Sequence, residues 1–292
     1  MKKNGFICCV TIILMGYALC NSYAIESDNQ KFNETYGSAG PTFAIATGSP
    51  GSLGLLRALA EPFCRDNNCR INWIEKGSGA SLKTLKEGRV DMVMVHAPEA
   101  EKEAVKEGWA AVRTLMGGNE FFIVGPDSDP AGIMGAGSAR EAYSMISRGK
   151  AKFFSRGDNS GTHKKEVSIW EDARIKPEGS WYIVTNDFME PTLFRADAEK
   201  GYFMTDSSTF FANKLNVKYL KVLLRGDPVL INVYHALAGI EDNNSTEVYS
   251  LVTKFIDYIK SEEGQKILRE YGENEYGYAL YMDAKTARKY EK

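Results

Sequence analysis

The chain has 292 residues, of which 43% are hydrophobic and 25% are charged, and its net charge at pH 7 is −2. This length accommodates two modest domains or one large one. The slightly acidic balance disfavours nucleic-acid binding, which needs a basic surface, so no nucleic-acid partner is expected. The histidines, His96, His163 and His235, are far apart in sequence and lack metal-ligand spacing, so neither a metal site nor a cofactor is predicted.

The first 24 residues have the features of an export signal. Lys2 and Lys3 precede an apolar run, residues 6–19, that is short for a membrane span, and Ser22-Tyr23-Ala24 fits a cleavage site. We therefore expect residues 1–24 to be a signal peptide. Its removal takes away two lysines and no acidic residue, which makes the mature chain more acidic.

The predicted export signal bears on the cysteines in two ways, lipoprotein processing and disulfide formation. Lipoprotein processing at Cys20 is the less favoured alternative, because bulky residues precede it where small ones are required. Signal cleavage would remove Cys8, Cys9 and Cys20 and leave Cys64 and Cys69 as an even pair in an oxidising compartment. Such a pair is expected to form a disulfide, which closes a short loop and stabilises the fold by about 2 kcal/mol at most.

The remaining chain begins with a polar, Gly/Ser-rich stretch, residues 25–40, that is predicted to be a disordered lead-in. From residue 41 onward, predicted strands and helices alternate. Ser49-Pro50 indicates a helix start, and Leu53, Leu56, Ala60 and Phe63 mark one face of that helix. A further helix is predicted to open at the turn 77–79 and to end at Gly88. The other predicted helices include 99–107, 138–148, 190–200, 245–260 and 261–271, and the predicted strands include 42–47, 70–75, 90–95, 120–124, 181–185, 201–205 and 219–224.

Two proline breaks, at residues 125–126 and 227–228, divide this alternation into blocks. The simplest account is that the second block is inserted into the first. We therefore predict an α/β fold with two lobes, each a mostly parallel sheet flanked by helices. Lobe 1 would contain residues 41–124 and 229–292, and lobe 2 would contain residues 125–228. A ligand cleft is expected between the lobes, with hinge closure.

Candidate ligand loops follow the carboxyl ends of predicted strands, where doubly wound sheets bind ligands. They are residues 47–49, 77–79, 96–98 and 155–162. The most informative is residues 153–163, FFSRGDNSGTH, in which an apolar strand leads into a turn that opens a helix. Ser160 is a good N-cap, so the amides of Gly161 and Thr162 would be free to bind an oxyanion at the positive end of the helix dipole. Arg156 would add charge-assisted donors. The alternative is an ordinary capped turn beside a surface arginine.

Three segments resemble the extracytoplasmic tungstate-binding proteins of ABC transporters: residues 155–166 (SRGDNSGTHKKE), 93–101 (VMVHAPEAE) and 121–126 (FFIVGP). The resemblance extends over about residues 41–283. A more distant similarity connects the arginine-then-Ser-Gly-Thr pattern with phosphate-binding proteins of the same periplasmic superfamily. The resemblance implies a two-lobed type II binding fold and a monomeric, non-enzymatic periplasmic protein. It would capture a tetrahedral oxyanion, tungstate first and molybdate next, for a membrane permease.

The resemblance also implies a set of ligand-binding residues. Matched by position, the first loop supplies Thr47 and Ser49, the second supplies Ser78, and the third supplies Arg156, Ser160, Gly161 and Thr162. His96 stands where the phosphate binders place an aspartate. A histidine can donate a hydrogen bond to a fully ionised oxyanion, whereas an aspartate would repel it. The alternative is a structural histidine that anchors the loop before Pro98.

The sequence departs from the family in two places. The first loop, Ala46-Thr47-Gly48-Ser49, has fewer hydroxyl groups than the family pattern, and Asp187, Phe188 and Glu190 replace small residues. The identity of the anion therefore stays open, and a receptor or sensor for phosphate, another oxyanion or a small carboxylate is the alternative.

A serine hydrolase that uses Ser160 and His163 is a remote further alternative. Gly-x-Ser-x-Gly is absent from the sequence, the serine would serve as a helix cap, and no acid has a spacing that would orient the histidine. No enzymatic activity is therefore predicted.

Overall fold

The computed structural model of the protein describes residues 31–241 and 245–291. The predicted signal peptide and residues 25–30 of the predicted lead-in lie outside this part of the chain. Within the described residues, none of the helices combines the length and apolar character that a membrane crossing requires.

The strands form one mixed sheet in the order β1-β3-β2-β4-β10-β5-β8-β6-β7, and β9 and β11 also pair with β5. Pairs β2–β3, β2–β4, β6–β7 and β6–β8 are parallel, and the other pairs are antiparallel. The strands are β1 Glu34–Tyr36, β2 Thr42–Thr47, β3 Arg70–Glu75, β4 Met92–Val95, β5 Ala110–Pro126, β6 Phe153–Ser155, β7 Tyr182–Val184, β8 Tyr202–Asp206, β9 Leu220–Leu224, β10 Ile231–Gly239 and β11 Met282–Asp283.

Helices cover the sheet and follow the strands as the alternating pattern predicts. They are α1 Ser49–Ser52, α2 Leu55–Asn67, α3 Ser78–Lys86, α4 Pro98–Lys106, α5 Ala139–Gly149, α6 Gly161–Asp172, α7 Met189–Glu199, α8 Ser207–Ala212, α9 Thr246–Lys260, α10 Glu262–Glu270, α11 Glu273–Tyr276 and α12 Ala284–Ala287. Short 3-10 turns occur at Ile133–Gly135, Pro228–Leu230 and Arg288–Tyr290.

Two of the hydrophobic cores in the described residues contact different parts of the long strand β5, the first at Met116 and the second at residues 121–124. The first core packs α2 and α9 on β2 and β3, with Phe43, Leu59 and Phe255 fully buried. The second core packs α5 and α6 on β6 and β8, with Phe153 and Trp170 at its centre. Burial of such side chains is the main favourable contribution to folding, at about 25 cal/mol per Å². These cores support the two-lobed fold class, and the lobe boundaries stay a prediction.

The structure corrects the prediction that residues 25–40 are disordered, as far as these residues are described. Glu34–Tyr36 form β1, which pairs with β3 in antiparallel register from Glu34 opposite Trp73 to Tyr36 opposite Ile71. Tyr36 is buried in the first core, and its hydroxyl donates to Glu34. Pairing with β3 and the burial of Tyr36 therefore order a stretch whose overall composition is that of a loop.

The helix predicted from Ser49 onward is also corrected, because it is two helices. Gly48, and not Ser49, is the N-cap of α1. The chain then breaks at Leu53 and Gly54, where Gly54 has φ +83°. A Cβ atom at Gly54 would lie 2.4 Å from the Tyr271 hydroxyl oxygen, so this turn needs glycine for its backbone conformation and for its close approach to Tyr271.

The predicted disulfide is not formed in the structure. Cys64 and Cys69 are buried free thiols with their Sγ atoms 3.5 Å apart, whereas a disulfide bond is about 2.05 Å long. Burial raises the pKa of both thiols, which disfavours the reactive thiolate. Because the two sulfur atoms already touch, the pair is placed for oxidation, and the disulfide stays a prediction for the exported protein.

Candidate functional site

A cavity of about 240 Å³ lies where the carboxyl ends of β2, β4 and β6 meet the first turns of α1, α3 and α6. This volume is below the roughly 300–1,000 Å³ of pockets for drug-sized ligands, so the cavity suits a small molecule or ion. Six of the eight residues predicted from sequence line it: Ser49, Ser78, His96, Arg156, Ser160 and Thr162.

The other two predicted residues, Thr47 and Gly161, support the wall of the cavity without lining it. Thr47 is fully buried, and its hydroxyl donates to the Met94 carbonyl at 2.9 Å, which ties β2 to β4. Gly161 lies against the ring of His96: a Cβ atom at this position would be 2.5 Å from the histidine Cε1. Both residues therefore set the shape of the site.

Arg156 is only 5% exposed and is held by Asp158 of its own loop and by the segment that precedes α7. Its Nε donates to the Asp187 carbonyl at 3.2 Å, and its Nη2 is bonded to the carboxylate of Asp158. Phe188 lies near the guanidinium, with 6.0 Å between Cζ and the ring centroid. A guanidinium has five N–H donors, so donors remain for a ligand in the cavity. Its positive charge, however, is already paired with Asp158.

The N-terminus of α6 is capped as predicted. The Ser160 Oγ accepts from the His163 amide at 3.3 Å, which leaves the hydroxyl proton of Ser160 able to donate. The Ser160 amide is not free, because it donates to Asp158 Oδ1 at 3.1 Å. The amides of Gly161 and Thr162 occupy the first helical turn, where no preceding carbonyl can accept from them. The backbone amides that remain free to bind a ligand at this helix end are therefore those of Gly161 and Thr162, and not that of Ser160.

Thr162 provides the clearest unsatisfied group of the site. Its side chain is 2% exposed, and its Oγ1 has no hydrogen-bond partner in the described part of the chain. A buried hydroxyl without a partner costs roughly 1–3 kcal/mol. Such a group in a cavity wall points to a polar ligand.

Ser78 holds the first turn of α3 against the end of β4. Its Oγ accepts from the backbone amide of His96 at 3.2 Å, which again leaves a hydroxyl proton for a ligand. Ser49, in α1, also lines the cavity, as do three further residues with hydroxyl groups, Ser52, Thr209 and Tyr234.

His96 is a neutral imidazole, because burial and the nearby positive charge of Arg156 lower its pKa from 6.5 to about 3. Its ring lies 4.8 Å from that of Tyr234, measured between centroids. A hydrogen bond to the side chain of Asn232 acts in the opposite direction and raises the pKa of His96. The Nδ1 atom of His96 has no hydrogen-bond partner among the residues described.

A chain of buried amides indicates where the His96 proton lies. Asn232 Nδ2 donates to Asn119 Oδ1 at 2.8 Å, and Asn119 Nδ2 donates to Asp206 Oδ1 at 3.3 Å. Because a carboxylate only accepts, the donors point towards Asp206 and leave the Asn232 oxygen to accept from His96. The expectation that His96 donates to an anion is therefore not supported, since its proton faces Asn232.

Several carboxylates and aromatic side chains that line the cavity were not predicted from the sequence as members of the site. Asp206 caps α8 and accepts from the Thr209 amide at 2.8 Å, while Glu75 accepts from the hydroxyl of Ser52. Asp206 ends strand β8, so the strand-end rule that found the other loops also applies to it. Glu75 likewise ends strand β3, so the same rule applies to it. Phe188 and Glu190 were named only as departures from the family pattern, and Tyr234 carries no local signal of this kind. The structure offers no metal site here: within its described residues, no three His, Cys, Asp or Glu side chains form such a group.

Comparison with known proteins agrees with this architecture. The model of the PBP superfamily domain matches residues 34–263. The tungstate-binding protein TupA of Peptoclostridium acidaminophilum is 31% identical over 272 residues, covering 92% of this chain and 94% of that protein.

Two solved structures are similar over most of the chain. The tungstate ABC transporter protein of Geobacter sulfurreducens has 37% identity and a TM-score of 0.73, covering 80% of this chain and 100% of its own. The tungstate-binding protein TupA of Desulfovibrio alaskensis G20 has 34% identity and a TM-score of 0.70, covering 84% and 99%. The chain therefore belongs to the PBP superfamily and, within it, to the family of the tungstate-binding proteins TupA.

Proposed function

We propose that this protein is the substrate-binding component of an ABC transporter and that its cavity captures a tetrahedral oxyanion. Tungstate is the first candidate and molybdate the second. The protein would act as a non-enzymatic monomer in the periplasm, after cleavage of residues 1–24, and would deliver the ion to a membrane permease. The observation that carries the proposal is the unpartnered hydroxyl of Thr162 beside the buried guanidinium of Arg156.

The chemistry of the wall fits an ion that only accepts hydrogen bonds. Ser78, Ser160 and Thr162 each have a hydroxyl proton that is not used within the site. Tungstate and molybdate carry no proton at neutral pH, so they only accept hydrogen bonds and suit a wall of hydroxyl donors. Asp158 already neutralises Arg156, and Asp206 is occupied by four donors. The attraction would therefore come from directed hydrogen bonds in a small site rather than from net positive charge.

A second candidate is a protonated anion such as hydrogen phosphate. The observation that favours it is the Nδ1 atom of His96, which is unpartnered and unprotonated in the amide network described above. An anion with an O–H group would supply the proton that this acceptor needs, whereas tungstate would not.

The hydrolase alternative has no support in the geometry. The ring of His163 accepts from the Asn159 amide at 3.0 Å through Nδ1, and Ser160 Oγ is bonded to the backbone of His163, not to its ring. A serine nucleophile needs the ring nitrogen of its base within reach.

Calorimetric titration with tungstate, molybdate, phosphate and sulfate tests the proposal. Arg156→Ala should abolish tungstate binding, because it removes the only cationic side chain that lines the cavity among the described residues. Arg148→Ala, at an exposed position on α5, is the matched control and should bind as the wild type does. Full affinity in Arg156→Ala would show that the ion binds elsewhere.

A further inference from the structure

The first turns of α3 and α6 touch each other across the cavity, and glycine residues of the 77–79 turn stand at the contact. A Cβ atom at Gly79 would lie 2.9 Å from the carbonyl oxygen of Asn159, and one at Gly77 would lie 3.2 Å from the Cβ of Ser160. Real Cβ atoms essentially never approach another heavy atom within 3.0 Å. A side chain at Gly79 would therefore force the two turns apart.

The local backbone does not explain why residue 79 is glycine. Gly79 lies inside α3 and is not among the glycines with positive φ, so any L-residue can adopt its conformation. Alanine is the better helix former at such a position. The missing side chain is therefore accounted for by the contact with Asn159, not by the helix to which Gly79 belongs.

The contact connects the two sets of ligand donors. Ser78 stands beside Gly79 on α3, which packs Leu82 against β2 and β4, whereas Ser160 and Thr162 stand beside Asn159 at the start of α6, which packs Trp170 in the second core. A small ion bonds to both sets at once only if the two turns come this close. The directed hydrogen bonds of the proposed site thus depend on the spacing between α3 and α6.

We propose that Gly79 is a positioning residue for anion binding: its lack of a side chain allows α3 and α6 to approach until hydroxyl groups from both sides reach the same ion. This inference rests on the proposed function. It concerns the distance between the two walls, and not a contact of Gly79 with the ion.

The test compares Gly79→Ala with Gly149→Ala in the full mature chain. Gly149 is the matched control, because it is also a helical glycine and a Cβ atom there would meet nothing within 4 Å. For each protein, tungstate affinity is measured by calorimetry and the melting temperature is measured without an added anion. Both variants should melt within about 3 °C of the wild type or slightly above it, since alanine favours the helix. Gly79→Ala should lose about tenfold or more in affinity, and Gly149→Ala should lose none.

The outcomes separate this inference from the proposed function. Wild-type affinity in Gly79→Ala would overturn the inference and leave the oxyanion function intact. A fall of many degrees in the melting temperature of Gly79→Ala would also overturn it, because the contact would then be part of the fold itself. A wild-type protein that binds none of tungstate, molybdate, phosphate and sulfate would overturn the proposed function, and the inference with it. Gly79→Ser has the same Cβ atom and should repeat the loss in affinity.

Discussion

Replacement of Thr162 by valine should change stability and binding in opposite directions. Valine has nearly the same shape as threonine and is also β-branched, so the first turn of α6 keeps its packing. The hydroxyl that disappears is buried and without a partner in the described chain, and such a group costs about 1–3 kcal/mol. The ligand-free variant should therefore melt at a higher temperature, by about 2–4 °C for each kcal/mol recovered.

The same substitution should weaken anion binding. A hydrogen bond to a charged group contributes about 1.5–3 kcal/mol, which corresponds to roughly a 10- to 150-fold loss of tungstate affinity. Thermal unfolding without ligand and calorimetric titration with tungstate measure the two effects separately. Thr192→Val is the matched control, because Thr192 is also a fully buried helical threonine but its Oγ1 is bonded to Thr185 Oγ1 at 2.8 Å. This control should lose about 1 kcal/mol of stability and keep its affinity.

One result would refute the reasoning about Thr162. If Thr162→Val melts at a lower temperature than the wild type and binds tungstate equally well, its hydroxyl has a structural partner and no role in binding. Thr162→Val would then show the lower stability and unchanged affinity that are expected of the control Thr192→Val.

Two further predictions concern groups outside the cavity. Burial raises the pKa of Glu166 to about 7 from the usual 4.5, although Tyr182 and Trp170 donate to its Oε1. The folded protein therefore binds more protons than the unfolded chain between these values, so stability should fall as the pH rises from about 4.5 to 7. Glu166→Gln should remove this loss of stability, which is roughly 3 kcal/mol at pH 8. Glu171→Gln, at an exposed position of the same helix, is the control and should keep the loss. Unfolding experiments across the pH range measure both effects. For the cysteines, alkylation and mass spectrometry of the exported protein should find Cys64 and Cys69 joined, and two alkylated thiols would show that no disulfide forms.

Local chemistry made part of the fold predictable. The bounds of β2 and β3 agree with the prediction residue for residue, because an apolar run in β2 and an alternation of polar and apolar residues in β3 leave few alternatives. The start of α6 was predicted correctly for the same kind of reason, since Ser160 fits the N-cap position by its own side chain.

The first half of β5 shows what local chemistry does not reveal. The sequence predicted a strand at 120–124, but β5 begins at Ala110 and includes Gly117 and Gly118. Glycine usually weakens a strand. Here a Cβ atom at Gly117 would lie 2.3 Å from the Met282 carbonyl oxygen, so β11 packs too closely for any side chain. The reason for this glycine lies 165 residues away in the chain and is not readable from its neighbours.

The candidate site also has features that the local sequence predicts and features that only the three-dimensional fold determines. The strand-end rule placed Ser78, His96 and Arg156 at one cavity, because it depends only on the order of elements. The pairing of Arg156 with Asp158 and the direction of the His96 proton depend on which side chains meet in three dimensions. The sequence indicated the members of the site, and the structure determines which of their donors remain for a ligand.

The most direct measurement is a crystal structure of the protein grown with tungstate, in which the anomalous scattering of tungsten locates the ion. We expect one tungsten atom in the cavity, with oxygen atoms at hydrogen-bond distance from the guanidinium of Arg156 and the hydroxyl of Thr162. A tungsten atom bound outside this cavity, or an Arg156 side chain turned away from the ion, would contradict this expectation.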